Sequence, residues 1–126
     1  MPFSHAMPIL VADDNRTTIR IVRNLLSQLG FKQVDDVPDG LAALVKLSEK
    51  KYDLVIADWN MEPMTGFELL KQVRADSRYN ALRFIMITAE ANTEHVIAAK
   101  KAGVSNYIIK PFTAETLKAK IEASFL

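Results

Sequence analysis

Asp53-Leu-Val-Ile-Ala-Asp-Trp-Asn60 is the stretch that decides the fold. Its four apolar residues, 54–57, run without interruption and stop at Asp58. A short continuous apolar run is typical of a parallel strand that is buried on both faces. Such a strand delivers its last residue to the carboxyl edge of the sheet, where open α/β folds bind their ligands. We therefore expect Asp58 to lie at the mouth of a site and not in the core.

Similar apolar runs recur along the chain and alternate with segments of helical periodicity. The predicted strands are 8–12, 31–37, 53–57, 83–87 and 105–109. The predicted helices are 15–29, 39–50, 65–76, 92–102 and a last helix that begins after Thr113. Leu41, Leu44 and Val45 mark the second helix, and Thr65 with Glu68 has the spacing of a capping box. This alternation predicts an α/β fold: one doubly wound, five-stranded parallel sheet in the order 2-1-3-4-5, with helices on both faces.

Length and composition narrow the class of protein. The 126 residues fit one domain, which we place at 7–126 behind a flexible leader, 1–6. Without cysteine the chain has neither disulfides nor thiolate metal sites, and a net charge of +1 gives no argument for binding nucleic acid or membranes. No signal peptide or membrane-spanning run is recognisable. We expect a cytoplasmic monomer, although the sequence does not fix the oligomeric state.

Polar side chains follow four of the five predicted strands. Asp13 and Asp14 follow the first strand, Asp58 the third, Thr88 the fourth and Lys110 the fifth. In the predicted order the first and third strands are neighbours, so three carboxylates converge at one edge. Converging carboxylates raise one another's pKa unless a cation intervenes. Because Mg²⁺ prefers oxygen ligands, and the pattern holds no histidine or cysteine for zinc, the sequence predicts a magnesium site.

These groups suit in-line phosphoryl transfer. The carboxylate of Asp58 is the nucleophile, the cation and Lys110 neutralise phosphoryl oxygens, and Thr88 offers a hydroxyl donor. The product is a mixed anhydride, which hydrolyses readily. Such a product suits a transient signal better than a lasting modification.

The chain after the leader resembles a response-regulator receiver domain, of the single-domain kind that acts in chemotaxis. The resemblance rests on Ala-Asp-Asp (12–14), Ile-Val-Arg-Asn-Leu-Leu (21–26), Asp-Trp-Asn-Met (58–61), Thr-Ala-Glu-Ala (88–91), Ile-Ala-Ala (97–99) and Lys-Pro-Phe-Thr-Ala (110–114). It implies that Asp58 accepts the phosphoryl group, in a domain that catalyses its own phosphorylation and dephosphorylation and is not otherwise an enzyme. It also implies that Asp14 binds Mg²⁺ directly, Asp13 through water and Asn60 through its backbone carbonyl. Thr88 and Lys110 would contact the phosphoryl group, and the Lys110–Pro111 peptide would be cis.

The resemblance further implies a switch and partners. Tyr107 would be the aromatic switch, and the fourth helix, fifth strand and fifth helix would form the readout face. Candidates for that face are Tyr107, Val96, Ala99, Lys118 and Lys120. Asn60 and Glu90 would tune the access of hydrolytic water. A histidine kinase would be the phosphodonor, the flagellar motor switch or another protein the target, and a phosphatase a further possible partner.

One departure from the usual family pattern lies in the loop Met61-Glu-Pro-Met-Thr-Gly66. Its proline comes one place later than usual, and Thr65 replaces an acidic residue. The departure concerns loop shape and partner choice, because the acceptor and metal ligands are untouched. Trp59 is interpreted as a reporter of metal binding, and His5 and His95, the latter on an exposed helix face, are assigned no role.

Several alternatives stay open. Taken singly, the strand-end acids are ordinary turn and cap residues, Lys110 is a solvated charge and Tyr107 is edge packing. Within signalling, the rivals are a phosphorelay intermediate and a receiver that drains phosphate from another protein. The rival from another class is a small-molecule phosphatase with an Asp nucleophile. It is disfavoured because no cap segment is recognisable and Asn60 stands where such enzymes carry a second Asp. A flavin-binding function is weaker still, because the three acids would repel a cofactor phosphate in the absence of metal.

Overall fold

The computed structural model describes residues 4–89 and 93–126 of the chain. Five strands alternate with five helices. The strands are β1 (Ile9–Ala12), β2 (Val34–Val37), β3 (Leu54–Asp58), β4 (Arg83–Thr88) and β5 (Asn106–Ile109). The helices are α1 (Arg16–Gln28), α2 (Gly40–Glu49), α3 (Gly66–Arg74), α4 (Thr93–Lys101) and α5 (Ala114–Ser124), and a 3-10 turn (Ser77–Tyr79) precedes β4. None of the helices in the described part of the chain is long and apolar enough to cross a membrane.

The strands form one parallel sheet in the order β2-β1-β3-β4-β5, which confirms the predicted topology. The acceptor strand β3 is central and is hydrogen-bonded to β1 on one side and β4 on the other. Ala12 is in register with Ala57, so the acids that follow β1 emerge beside Asp58. The topology therefore brings together side chains that lie more than forty residues apart in sequence.

The two faces of the sheet carry separate cores, as a doubly wound fold requires. Alternate strand residues point to opposite faces, so Ile9 and Val11 pack with α1 and α5 while Leu10 and Ala12 pack with α2 and α3. Both sets are buried, which explains why the strands are apolar without alternation. The predicted placement of helices on both faces is confirmed.

Some element boundaries and faces differ from the sequence prediction. Strand β2 begins at Val34 because Phe31 closes the end of α1 instead, its N–H bonded to the carbonyl of Leu26. In α2 the apolar residues Leu41 and Val45 are exposed. The residues of this helix that face the core are Gly40, Ala43 and Leu47. The prediction had used Leu41 and Val45 to mark the helix, and they do so without belonging to its buried face.

The N-terminal segment contacts the domain where it is described. The ring of His5 lies 5.0 Å from that of Phe31, centroid to centroid, and Gln33 donates a 2.7 Å hydrogen bond to the carbonyl of Ala6. Met7 is buried in the core below α1 and α5. Residues 1–3 of the predicted leader lie outside the described residues.

Candidate functional site

Three carboxylates meet at the carboxyl edge of the sheet. Asp13 and Asp14 follow β1, Asp58 ends β3, and one oxygen from each lies within 4.8 Å of the others. Asp13 and Asp58 are only 4% and 8% exposed, whereas Asp14 faces solvent. The site is thus a shallow acidic cleft with two buried walls and one open side.

The electrostatics of this cleft disfavour three free negative charges. Burial raises the pKa of the Asp13 carboxyl to about 6, with a further contribution from the charge of Asp58, against a hydrogen bond from the backbone N–H of Asn15. Burial also raises the pKa of Asp58, and the nearby Lys110 ammonium opposes that rise. Oxygen donors that carry excess negative charge and face an open side fit a hard divalent cation such as Mg²⁺.

Lys110 brings the single ammonium that the described residues place against this cluster. It follows β5, and its Nζ lies 3.1 Å from Oδ1 of Asp58 and 3.8 Å from Oδ2 of Asp13. Its backbone N–H donates a 2.7 Å hydrogen bond to the carbonyl of Thr88, which fixes the end of β5 against the end of β4. The Lys110–Pro111 peptide is cis. The ammonium is therefore held closest to Asp58 and also within reach of Asp13.

Thr88 is the last residue of β4, the strand next to the acceptor strand, and it is buried. Asn60 lies on the surface two residues beyond Asp58, and its backbone N–H bonds the Asp58 carboxylate and lowers its pKa. The predicted role of the Asn60 carbonyl as a metal ligand stays a prediction. Glu90, the other predicted tuning residue, lies outside the described residues.

The loop that departs from the family pattern is held at both ends. Met61 is buried, and Glu62–Pro63 is a second cis peptide that sequence reasoning missed. The Thr65 hydroxyl accepts a hydrogen bond from the Glu68 N–H while the Glu68 carboxylate accepts one from the Thr65 N–H, forming a capping box at the start of α3. Gly66 packs directly on the backbone carbonyl of Asp58, leaving no room for a Cβ. Thr65 in this loop thus serves as the N-cap of α3.

The predicted readout face needs two corrections. Ala99 lies on the inner side of α4 and is completely buried, so a partner cannot touch it in this conformation. Lys118 lies on the other side of α5, where it lines a pocket with His5 and Phe31 near the end of α1. Position along the sequence of α5 did not reveal this, because the side on which a residue lies depends on how the helix is rotated against the sheet.

The assignment of Tyr107, Val96 and Lys120 to a readout face stays a prediction. Tyr107 is buried at the β5 edge of the sheet, and Val96 and Lys120 are half-buried on the flanking helices. Sequence reasoning missed Ile97 and Ile109, which are 47% and 42% exposed on α4 and β5. The exposure of Ile109 could have been expected, because β5 lies at the edge of the sheet and has a neighbouring strand on one side only.

An aromatic stack beside the acceptor was also missed. The ring of His95 in α4 lies 4.3 Å from the indole of Trp59 with an interplanar angle of 6°. Phe67 of α3 lies 4.9 Å from the same indole at 7°. The expectation that His95 sits on an exposed helix face without a partner is wrong, because α4 folds its first turn over the end of β3.

Comparison with known proteins places this geometry in a family. The model of the response regulator receiver domain matches residues 9–122. The chain is 50% identical over 119 residues to the chemotaxis protein CheY-3 of Vibrio cholerae serotype O1, covering 94% of this chain and 92% of that one. It is 48% identical over 119 residues to the chemotaxis protein CheY of Pseudomonas aeruginosa, covering 94% and 96%.

A solved structure agrees with these relatives. The chemotaxis response regulator CheY4 of Vibrio cholerae matches with a TM-score of 0.87 at 33% identity, over 94% of this chain and 98% of that one. The sheet order, the acidic cleft and the sequence relatives lead to one conclusion: the chain belongs to the response regulator receiver domains, a family of signalling proteins.

Proposed function

We propose that this protein is a response regulator of a chemotaxis pathway that accepts a phosphoryl group on Asp58 from a histidine kinase, in a reaction that requires Mg²⁺. The observation that carries the proposal is the 3.1 Å contact between Lys110 Nζ and Asp58 Oδ1, within a cluster of three carboxylates. A phosphoryl group on Asp58 would have this ammonium on one side. A bound cation would supply positive charge on the other side.

The residues support transfer of a phosphoryl group from a histidine imidazole to the carboxylate of Asp58. A carboxylate oxygen of Asp58 forms the new O–P bond while the P–N bond to the donor imidazole breaks, and the imidazole keeps the electron pair and takes up a proton. Lys110 stabilises charge on the phosphoryl oxygens, and Thr88 sits at the neighbouring strand end with a hydroxyl to donate. Asp13, Asp14 and Asp58 would hold Mg²⁺, which supplies Lewis-acid neutralisation of the transferred group when bound.

Hydrolysis of the resulting anhydride returns the protein to its starting state. A water molecule attacks phosphorus, the O–P bond to Asp58 breaks and inorganic phosphate leaves. Asn60 lies exposed at the open side of the cleft, where it can influence the approach of that water. We propose the same tuning role for Glu90 on the strength of the family pattern.

The output is proposed to pass through Tyr107 and its neighbours. A phosphoryl group that draws in Thr88 would open space beside β4, and Tyr107 on the adjacent strand could repack into it. The surface that changes would include Val96, Ile97 and Lys120 of the flanking helices, and its target would be the flagellar motor switch or another protein. A protein that instead passes phosphate to a second histidine would prefer a phosphotransfer domain as partner.

The chemistry can be tested with purified protein. Trp59 fluorescence is titrated with Mg²⁺ and then with acetyl phosphate, and intact-protein mass spectrometry counts added phosphoryl groups. We expect both additions to change the signal in wild type, and only the first to do so in Asp58→Asn. Asp53→Asn, an acid at the opposite end of the same strand, is the matched control and should be phosphorylated like wild type. Phosphate uptake by Asp58→Asn, or none by wild type, would refute the proposal.

A further inference from the structure

Three rings form a nearly parallel stack at the edge of the acceptor site. Trp59 follows Asp58 directly, and its indole stacks on Phe67 at 4.9 Å and on His95 at 4.3 Å. The ammonium of Lys71 lies 4.9 Å from the centre of the Phe67 ring and extends the stack on the α3 side. The stack thus links the first turns of α3 and α4 through the residue next to the acceptor.

The backbone of Trp59 is fixed on both sides. Its N–H donates a 2.9 Å hydrogen bond to the carbonyl of Ile87, and its carbonyl accepts a 2.9 Å hydrogen bond from the N–H of Gly66. The indole therefore projects from the end of a central strand whose position cannot shift without breaking these bonds. In the stacked pair of Trp59 and His95, the backbone of Trp59 is therefore the fixed part, and the stack holds His95 against it.

Helix α4 is weakly anchored by comparison. Within Thr93–Lys101 only Ala99 is buried, and Ile97 is 47% exposed. The turn after the helix is held by Arg74, whose Nε donates a 2.9 Å hydrogen bond to the carbonyl of Gly103. At the first turn, the stack of His95 on Trp59 is the ring contact that the structure describes. A helix with one buried residue depends on such end contacts for its position.

We propose that His95 is a positioning residue: its stack on Trp59 holds the first turn of α4 against the acceptor strand and favours the unphosphorylated arrangement. This inference rests on the function proposed above. Thr88 ends β4, which pairs with the acceptor strand and precedes α4 in the chain, so we expect a Thr88 that moves towards a phosphoryl group to displace the first turn of α4. With Trp59 held by its backbone hydrogen bonds to Ile87 and Gly66, that displacement would loosen the stack.

The energetic consequence follows from linkage. An interaction that forms in only one of two states stabilises that state. Phosphorylation, which favours the other state, must therefore overcome the free energy of the stack. Removing the stack therefore raises the population of the active-like arrangement in the unphosphorylated protein, and a donor that reacts with that arrangement phosphorylates the protein faster in proportion. Aromatic pairs of this kind are worth enough to change an equilibrium by a factor of about two to ten.

The test compares His95→Ala with His95→Phe, which keeps a ring that can stack. Initial rates of phosphorylation by acetyl phosphate in Mg²⁺ are measured by intact-protein mass spectrometry, because the indole signal is itself altered. We expect His95→Ala to react about two to ten times faster than wild type, and His95→Phe to react like wild type. Lys100→Ala, an exposed change in the same helix, should also match wild type.

A second measurement needs no phosphodonor. Amide hydrogen exchange in α4 and acrylamide quenching of Trp59 should both rise in His95→Ala and return to wild-type levels in His95→Phe. A His95→Ala protein that reacts no faster than wild type, or a His95→Phe protein that behaves like it, overturns the positioning role. If wild type takes up no phosphate, the proposed function is overturned instead. The hydrogen-exchange data separate the two outcomes, because they are measured without a phosphodonor.

Discussion

Replacing Asp13 by Asn should stabilise the protein in the absence of divalent metal. The change removes one of three clustered charges and keeps the local structure, because an amide oxygen can still accept the 2.9 Å hydrogen bond from the Asn15 N–H. Asp13 is 4% exposed, so its charge is poorly solvated where it stands. The wild-type protein tolerates this charge at a cost in folding free energy.

The size of that cost follows from the pKa of Asp13. The folded-state pKa is about 6 and the ordinary value is 3.8, and a shift of this size corresponds to at most about 3 kcal/mol. The cleft is open beside Asp14, and solvent there reduces the penalty, so we expect about 1–2 kcal/mol. Because the folded-state pKa is the higher one, the penalty is full above pH 6 and disappears as the pH falls towards 3.8.

Urea unfolding in EDTA, repeated at several pH values between about 4 and 8, measures the effect. Asp13→Asn should be the more stable protein near pH 7.5, and the two curves should converge towards pH 4. Saturating Mg²⁺ should shrink or reverse the difference, since a cation that binds only the folded wild type stabilises it by mass action. Glu49→Gln, an exposed acid at the end of α2, controls for the loss of one negative charge.

The reasoning fails if Asp13→Asn is no more stable than wild type in EDTA at neutral pH. It fails equally if the difference persists unchanged to low pH, because the advantage would then not come from an ionised carboxylate. A gain matched by Glu49→Gln would assign the effect to net charge and not to the cleft.

Two other substitutions test the geometry of the site. Lys110→Met removes a cation 3.1 Å from Asp58 that competes with a divalent ion, so the Mg²⁺ dissociation constant from Trp59 fluorescence should fall about threefold to tenfold, on the order of 1 kcal/mol; an unchanged constant would contradict the competition. Gly66→Ala should cost about 3 kcal/mol in urea unfolding, because its Cβ would overlap the backbone carbonyl of Asp58, whereas Gly40→Ala meets only the flexible side chain of Met64 and should cost clearly less.

The central part of the fold follows from sequence for a physical reason. Strands buried on both faces must be continuously apolar, and a polar residue that ends each run must sit at the sheet edge. The positions of Asp13, Asp58 and Thr88 in the structure follow from that rule and the strand order alone. The predicted order was confirmed because parallel neighbours with short connections leave few alternatives.

The sequence did not predict which helix residues are exposed on the surface. Helical periodicity identifies α2 but does not say that Leu41 and Val45 face water, because that depends on how the helix is rotated against the sheet. The side of α5 on which Lys118 lies depends on the same rotation. The contact between Trp59 and His95 joins segments on different strands and helices, and no local pattern encodes it.

The hydrogen-bonding of β3 has a consequence for how a signal can leave the site. The acceptor ends the central strand of the sheet, which has two strands on each side and is hydrogen-bonded along both edges; local opening is least favourable in such a strand. We therefore do not expect β3 itself to change shape when a charged group is added to Asp58. If Asp58 is phosphorylated as proposed, the response is expected in a less firmly anchored neighbour, and α4, where Ala99 is the only buried residue of Thr93–Lys101, is the candidate.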